Sequence, residues 1–295
     1  MPALTTPLKF SLVLATIGRT AELSNFLMHL DCQSYRNFEL IVVDQNPDDR
    51  LAAVLAPYRT RFAIKHLKSG KGLSRARNVG LRHISGDIVA FPDDDCWYHA
   101  TTLQQVASLF LDHSDWDGAT GRAAAPWAER YFDQKKGFLH KYNAWRRTVS
   151  ITIFLRSSVV RAVGDFDPML GAGSALGYGS SEEIDYVLRA LEEKFRICYV
   201  PDLLVHHPTG SPSYDHAGIR KGYSYACGAG YTYRKHRFPV WYFAYLLFRS
   251  FAGVVLSAAR ANFPKANFHW ALLRGRLSGW MSDARHDAGS KAHIE

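Results

Sequence analysis

Three consecutive carboxylates, Asp93-Asp94-Asp95, form the densest acidic cluster in this chain of 295 residues. Adjacent carboxylates repel, so a fold keeps them together with a compensating cation or on a solvated turn. Oxygen ligands on a loop suit Mg²⁺ or Mn²⁺, ions that also bind diphosphate oxygens. On an extended segment Asp93 and Asp95 point one way and Asp94 the other. An exposed acidic turn is the plain alternative, but the apolar run before the cluster and Trp97-Tyr98 after it favour a cleft. Gly72-Leu-Ser-Arg-Ala-Arg-Asn-Val-Gly80 opens a helix after Lys68-Ser-Gly-Lys71. Helix N-termini attract anions, Lys71, Arg75 and Arg77 add donors for phosphate, and Gly72 permits close backbone approach; a solvated basic face is the alternative. Ser181-Glu-Glu-Ile-Asp185 starts a later helix, with Glu182, Asp185 and Arg189 on one stripe and Ile184, Leu188 and Leu191 on the buried one. A carboxylate there can act as general base on a hydroxyl. Ser180-x-x-Glu183 also fits a capping box, in which Glu183 satisfies backbone donors, and from the residues alone the cap is the favoured reading. His206-His207, past a strand ending near Val200 and Pro201, offers a candidate third metal contact.

The elements that must position these groups alternate. Strands are expected over Lys9–Ala15, Phe38–Val43, Phe62–His66 and Asp87–Phe91, with helices over Thr20–Leu30, Leu51–Tyr58 and Gly72–His83; Thr20 is the expected N-cap of the first helix. Strand–helix repeats at this spacing imply parallel strands joined by crossover helices, with ligands bound beyond the strands' carboxyl ends. Thr16, Asp44 and Asp93 each sit at or just past such an end. Residues 122–148 break the pattern, mixing Trp127, Tyr131, Phe132, Trp145 with Lys135, Lys136, Arg146 and Arg147, as in an irregular insertion or flap. Ile151–Leu155 is a further expected strand. The loop Gly171–Gly179 leads into a helix over Glu182–Phe195, and Arg196–Val200 is the last expected strand.

Four cysteines stand far apart without a C-x-x-C pair, which argues against a zinc knuckle or a disulfide framework and suits a reducing cytoplasm. Met1–Lys9 is too short and polar to read as a secretory signal. The net charge of +9 is uneven: residues 211–295 hold 12 Lys and Arg against 4 Asp and Glu, while residues 1–210 are close to neutral. A nucleic-acid enzyme would carry that charge around its site; a basic tail on a neutral body reads as a contact with anionic lipid. The apolar stretch Val240–Leu256 is interrupted by Arg249 and Ser250, so a helix lying in a membrane surface fits better than a spanning one.

Taken in order, these segments resemble the family 2 inverting glycosyltransferases over roughly residues 8–210. The resemblance rests on Ser11-Leu-Val-Leu-Ala-Thr-Ile-Gly-Arg19, Ile41-Val-Val-Asp44, Gly72–Gly80, Gly86–Asp95, Glu182-Glu-Ile-Asp185 and Pro201-Asp-Leu-Leu-Val-His-His207. It implies an α/β GT-A fold, Rossmann-like, with a mostly parallel central sheet flanked by helices and a C-terminal helical extension. It also implies a catalytic domain over 1–210 and a basic, partly apolar extension over 211–295. Residue by residue, it puts Thr16, Arg19, Asp44, Asn46, Gly72, Arg75, Arg77, Asp93 and Asp94 at the donor. It puts Asp95, Asp93 and His207 at the metal, and Glu183 at the base, with Glu182 and Asp185 beside it. The chain departs from the family pattern at Ala15, where proline is usual, at Gly18, and at Glu183, where aspartate is usual.

The expected activity is transfer, with inversion, of a sugar from a nucleoside-diphosphate donor to a hydroxyl of a glycan or lipid-linked acceptor. Mg²⁺ or Mn²⁺ would assist it at the inner face of the cytoplasmic membrane. A sugar-nucleotide nucleotidyltransferase would carry a G-x-G-x-R-L-type loop after the first strand, which Ala15-Thr-Ile-Gly-Arg19 matches poorly. A membrane- or polyanion-binding protein with a degenerate fold would need none of the separated acidic groups.

Overall fold

A computed structural model describes residues 7–125, 131–208 and 213–282; Trp127 and the extreme N- and C-terminal residues lie outside the described residues. Two compact units divide the chain: Met1–Phe166 with Tyr186–Thr209, and Asp167–Asp185 with Gly210–Glu295. The division is therefore not a single cut near residue 210, because Asp167–Asp185 groups with the C-terminal helices.

The first unit is built on a mixed sheet. Strands β1 (Phe10–Thr16), β2 (Phe38–Asp44), β3 (Ala63–Lys68) and β4 (Ile88–Ala90) run parallel in the order β3-β2-β1-β4. Every residue of β1 and β2 is buried, as near-continuous apolar runs require when both sheet faces are covered. The crossovers are α1 (Ala21–Asp31), α2 (Leu51–Leu55, continued by a 3₁₀ turn to Tyr58) and α3 (Leu73–Leu81). Helix α3 lies close on the sheet because residue 80 is glycine: a Cβ there would come within 2.4 Å of Val13 Cγ1 and 3.2 Å of Val43 Cγ2. Thr20 does stand at the N-cap of α1, but its side chain makes no capping hydrogen bond.

Beyond β4 the sheet continues through two strands on segments expected as such, at Phe154 and Ile197, and through three, at Trp97, Gly118 and Gly137, where no strand is expected. The strands are β5 (Trp97–Tyr98), β6 (Gly118–Ala124), β7 (Gly137–Phe138), β8 (Phe154–Arg156) and β9 (Ile197–His206); helices α4 (Thr102–Asp112), α5 (Ala144–Arg147) and α6 (Ser157–Val163) connect them. The sheet order is β3-β2-β1-β4-β8-β6-β9-β5, with β7 also on β9. Strand β8 is antiparallel to β4 and β6, whereas β6 and β9 pair parallel. The expected strand at Ile151 begins instead as a 3₁₀ turn over Ser150–Thr152.

The expected stop at Val200-Pro201 is also corrected: β9 runs on to His206. Its register against β6 jumps from Thr120↔Tyr199 to Arg122↔Leu204, a bulge that holds Pro201 where no ladder hydrogen bond is asked of it. Gly121 makes the bulge possible, since a Cβ there would lie 2.0 Å from the Leu203 carbonyl oxygen. The extension matters because it carries His206 and His207 to the end of the sheet beside β5, which pairs Trp97 with His206.

In the second unit, α8 (His216–Lys235), α9 (Val240–Ala259) and α10 (Phe263–Met281) join the segment Asp167–Asp185. Asp215 caps α8 by accepting from the Gly218 amide (2.7 Å), and Asn262 caps α10 through the Lys265 amide (3.2 Å). Helices α8 and α10 meet backbone to backbone through glycines: a Cβ on Gly279 would fall 2.0 Å from the Cys227 carbonyl, and one on Gly230 2.2 Å from that of Arg276. Helix α7 (Glu182–Glu192) gives its first turn to this unit and the remainder to the first.

Candidate active site

The carboxyl ends of β1, β2 and β4 bring their polar residues together. Asp93 forms a bridge with Ala15, in the same β1–β4 register three residues past the last regular pair, Leu12↔Ala90. The chain then turns, Cys96 donating its amide to the Asp93 carbonyl (3.3 Å). The turn divides the three aspartates as the alternation of an extended segment implies. Asp94 is buried and accepts from the Thr16 hydroxyl (2.6 Å) and Arg19 (2.8 Å). Asp93 and Asp95 face His207 instead, and the ligand atoms of all three lie within 4.8 Å of one another.

His207 owes its position to the extended β9. Consecutive strand residues point to opposite sides, so His206 stacks on Trp97 (5.3 Å between centroids, 5° between planes) while His207 turns to the aspartates. The Nδ1 of His207 lies 2.8 Å from the Pro208 carbonyl and its Nε2 3.4 Å from Asp95 Oδ1. With the proton on Nδ1, the Nε2 lone pair faces the carboxylates, the usual arrangement of a ligating imidazole. In the metal-free geometry, the hydrogen bond to Asp95 lifts the His207 pKa above its ordinary value, burial opposing. Burial lifts Asp95, but His207 and Arg19 outweigh it, and the net shift is downward. Asp94 shifts upward, because its burial outweighs Thr16 and Arg19.

Two arginines hold the cluster. Arg19 reaches Asp95 (2.5 Å) as well as Asp94. Arg77 is 1% exposed, donates to Asp93 (3.0 Å) and lies over the Phe91 and Phe166 rings. Arg77, expected at the donor, is thus enclosed and its guanidinium meets Asp93, which also accepts from Ser150 (3.3 Å). Arg75 and Lys71 stay exposed at the start of α3. Three carboxylates against two guanidiniums leave negative charge, and two carboxylates with one imidazole make a donor set for a divalent cation. That nitrogen suits Mn²⁺ better than Mg²⁺.

A second set stands at the end of β2. Asp44 Oδ1 accepts from the backbone and side-chain amides of Asn46 (2.8 and 2.7 Å), while its Oδ2 meets His66 and Lys68 (3.0 Å each). Burial acts to raise its pKa, and these four contacts lower it on balance. Asn46 in turn accepts from the Gly18 amide (2.7 Å), where φ of 73° favours glycine. Gly72, at φ 126°, donates its amide to Gln45 (2.8 Å) and starts α3. Gly18 and Gly72 are thereby tied by hydrogen bonds to Asn46 and Gln45, just past the end of β2. Lys68, His66, Gln45 and Ser150 were not among the expected site residues. For His66 and Lys68 a signal existed, because residues two apart on β3 face the same side and pair with Val42 and Asp44.

The acidic residues of the first turn of α7, Glu182, Glu183 and Asp185, belong to the second unit. Asp185 is fully buried and meets Lys235 (2.7 Å) and His236 (2.9 Å). Lys235 also pairs with Asp167 (2.7 Å), which accepts from the Tyr231 hydroxyl (3.2 Å). Glu182 is buried too, so the expected polar stripe of α7 is enclosed at its first turn; Glu183 is the more accessible of the two glutamates. The expected capping box is out of register. The Ser181 carbonyl accepts the first helical bond from Asp185 (2.9 Å), and the Ser180 hydroxyl donates to the Tyr225 carbonyl (2.9 Å).

Comparison with known proteins agrees with this geometry. The family described as Glycosyl transferase family 2 matches residues 11–158. The glycosyltransferase AglE of Haloferax volcanii is 26% identical over 218 residues, spanning 70% of this chain and 69% of that protein. The poly(ribitol-phosphate) beta-N-acetylglucosaminyltransferase TarS of Staphylococcus aureus is 31% identical over 112 residues, but the match spans only 36% of this chain and 19% of that protein. Among solved structures, the mannosyltransferase PcManGT of Pyrobaculum calidifontis, in complex with GDP-Man and Mn²⁺, superposes with a TM-score of 0.64 at 14% identity, covering 94% of this chain and 88% of that one. The TarS fragment 1–349 gives 0.59 at 16% identity, covering 90% and 92%. At such identities the likeness establishes the fold, which is GT-A.

Proposed function

The chain belongs to glycosyl transferase family 2 and is a glycosyltransferase, and from that premise we propose that it transfers a sugar from a nucleoside diphosphate to a hydroxyl, with inversion at the anomeric carbon. The carrying observation is the convergence of Asp93, Asp95 and His207 beside the Thr16–Asp94 contact, at the carboxyl ends of parallel strands. A nucleotide-sugar donor is supported by the neighbours solved with UDP-GlcNAc and with GDP-Man and Mn²⁺.

In this reading Thr16, Asp44, Asn46 and Gly72 take the nucleoside, the ionised Asp44 accepting from ribose or base. Arg75, exposed near the start of α3, answers the diphosphate's charge. Asp93, Asp95 and His207 hold Mg²⁺ or Mn²⁺, an ion that when bound neutralises the departing diphosphate. Arg77 keeps Asp93 aimed at that position, and Arg19 balances Asp94 and Asp95.

Glu183 is the base that takes the acceptor's proton, being the accessible acid of α7, whereas Glu182 is buried and Asp185 is committed to Lys235 and His236. Its carboxylate stands one methylene further from the backbone than an aspartate's, a difference that bears on proton-transfer geometry. The basic C-terminal unit supports a working position at the cytoplasmic face of a membrane, next to a glycan or lipid-linked acceptor. The direct test is a thermal-shift comparison of UDP-, GDP- and dTDP-sugars with Mn²⁺. One nucleotide class should raise the melting temperature in wild type and not in Asp95→Ala. No shift with any donor would overturn the reading.

A further inference from the structure

Helix α9 is built inside out for a helix in water. Its inward row, Phe243, Leu246, Ser250, Gly253 and Ser257, includes two serines and a glycine. Ser250 donates to the Leu246 carbonyl (3.2 Å) and accepts from Arg276, and a Cβ on Gly253 would lie 2.6 Å from His269. The outward row carries the bulk. Trp241, Tyr245, Phe248, Phe251 and Val255 recur at helical spacing, all exposed, Trp241 at 68% and Phe248 at 66%. Only Arg249, over the Tyr245 ring, brings charge to the edge of that face. Helix α10 repeats the pattern, with Ala266, Ala271, Gly275 and Gly279 inward and Phe263 and Trp270 outward. Small residues between helices and large apolar ones outside are the packing rule of helices that meet lipid. In water, an apolar face of this extent marks a docking surface.

We propose that the outward face of α9 docks in the plane of an anionic lipid bilayer, its aromatic side chains entering the boundary between headgroups and acyl chains. This deepens the membrane position proposed above and does not depend on the catalytic assignments. Charge decides the occupant. Residues 213–282 hold ten Lys and Arg and a single acid, Asp215. The exposed Arg237 and Arg260 stand at the two ends of α9. Anionic headgroups attract such a surface, whereas a second copy carrying the same charge is repelled. The helix is long and apolar enough to cross a membrane by length and composition. Arg249 near its middle, and the inward row packed on protein, favour the in-plane arrangement.

The test is co-sedimentation of the full chain with vesicles of phosphatidylcholine alone or with about 30% phosphatidylglycerol. Binding should require the anionic lipid, weaken with salt, and be released by alkaline carbonate. Trp241→Ser with Phe248→Ser should weaken it about tenfold or more. Because both side chains are exposed, the variant's melting temperature and its donor-induced thermal shift should stay those of wild type. That keeps a failure here distinct from a failure of the catalytic reading. Three results would overturn the proposal: equal vesicle binding by variant and wild type, retention after carbonate, or a lipid-free dimer that the same substitutions dissociate. If the double variant does not fold, Phe248→Ser alone is read against the same outcomes.

Discussion

Replacing Glu39 by glutamine should weaken the fold in a strictly pH-dependent way. Glu39, 2% exposed near the start of β2, accepts from the Ser11 hydroxyl (2.7 Å) and from the amide and hydroxyl of Ser85 (2.8 and 2.7 Å), and it pairs with Lys65 (2.9 Å). Through Ser11 and Ser85 it ties the turn before β4 to the start of β1. There Gly86 sits so close that a Cβ would lie 2.7 Å from the Lys9 carbonyl and the Ser11 amide. That tie fixes the register Phe10↔Ile88, and the register carries the aspartates that follow β4. Burial alone would raise the carboxyl's pKa, but the contacts with Ser11, Lys65 and Ser85 overcome it and hold it at about 2 against an ordinary 4.5. A depression of that size, at about 1.4 kcal/mol per pKa unit, corresponds to roughly 3 kcal/mol. Lys65 is half exposed, so about 2 kcal/mol is the safer expectation. The sign follows from the depressed value: the stabilisation is complete above pH 4.5 and is lost as pH falls toward 2. Urea unfolding of wild type and Glu39→Gln should therefore differ by about 2 kcal/mol near neutral pH, and the gap should close on acidification. Equal stability at neutral pH, or a gap that persists in acid, would refute the reasoning.

Other perturbations probe the site and its supports. Arg77→Lys, which cannot keep both the reach to Asp93 and the stacking over Phe91 and Phe166, should lower Mn²⁺ affinity about tenfold, read by calorimetry. Mn²⁺ affinity should rise with pH through the raised pKa of His207, because that imidazole must shed its proton to ligate; His207→Ala should flatten the dependence. Lys235→Met leaves the buried Asp185 and the half-buried Asp167 short of a cation and should cost about 3–5 kcal/mol in thermal unfolding. Gly80→Ala should cost about 1–3 kcal/mol by pressing α3 off Val13 and Val43.

Strands β1, β2 and β4 are legible because each is an apolar run leading to a polar residue, and the same local signal exposes Thr16, Asp44 and Asp93. Asp93–Asp95 needs no partner to be noticed, and alternation correctly separates Asp94 from its neighbours. Strand β6, Gly-Ala-Thr-Gly-Arg-Ala-Ala, carries no strand signature; its small residues answer the close approach of Leu155, Ile197 and the Leu203 carbonyl, which only folding creates. Pro201 reads as a stop because propensity is local, whereas the bulge that accommodates it is a property of two strands. Lys68, His66 and Ser150 reach the site through register with neighbouring strands and turns, and the enclosure of Arg77 between Phe91 and Phe166 is likewise a product of folding. In α9 the apolar stretch is evident from sequence, but which side faces outward depends on α10. The sequence leaves Glu182, Glu183 and Asp185 open as the base; the proposal of Glu183 draws on their differing burial and on the partners of Asp185, which only the fold supplies.

The measurement that bears most directly on the account is Mn²⁺ binding to wild type and Asp95→Ala, titrated by calorimetry with and without UDP and GDP. Wild type should bind the ion weakly alone and more tightly with one of the two nucleotides, since cation and diphosphate share the site, while the variant should lose both effects. A variant that binds Mn²⁺ as wild type does, with the same gain from nucleotide, would contradict the assignment of Asp93, Asp95 and His207.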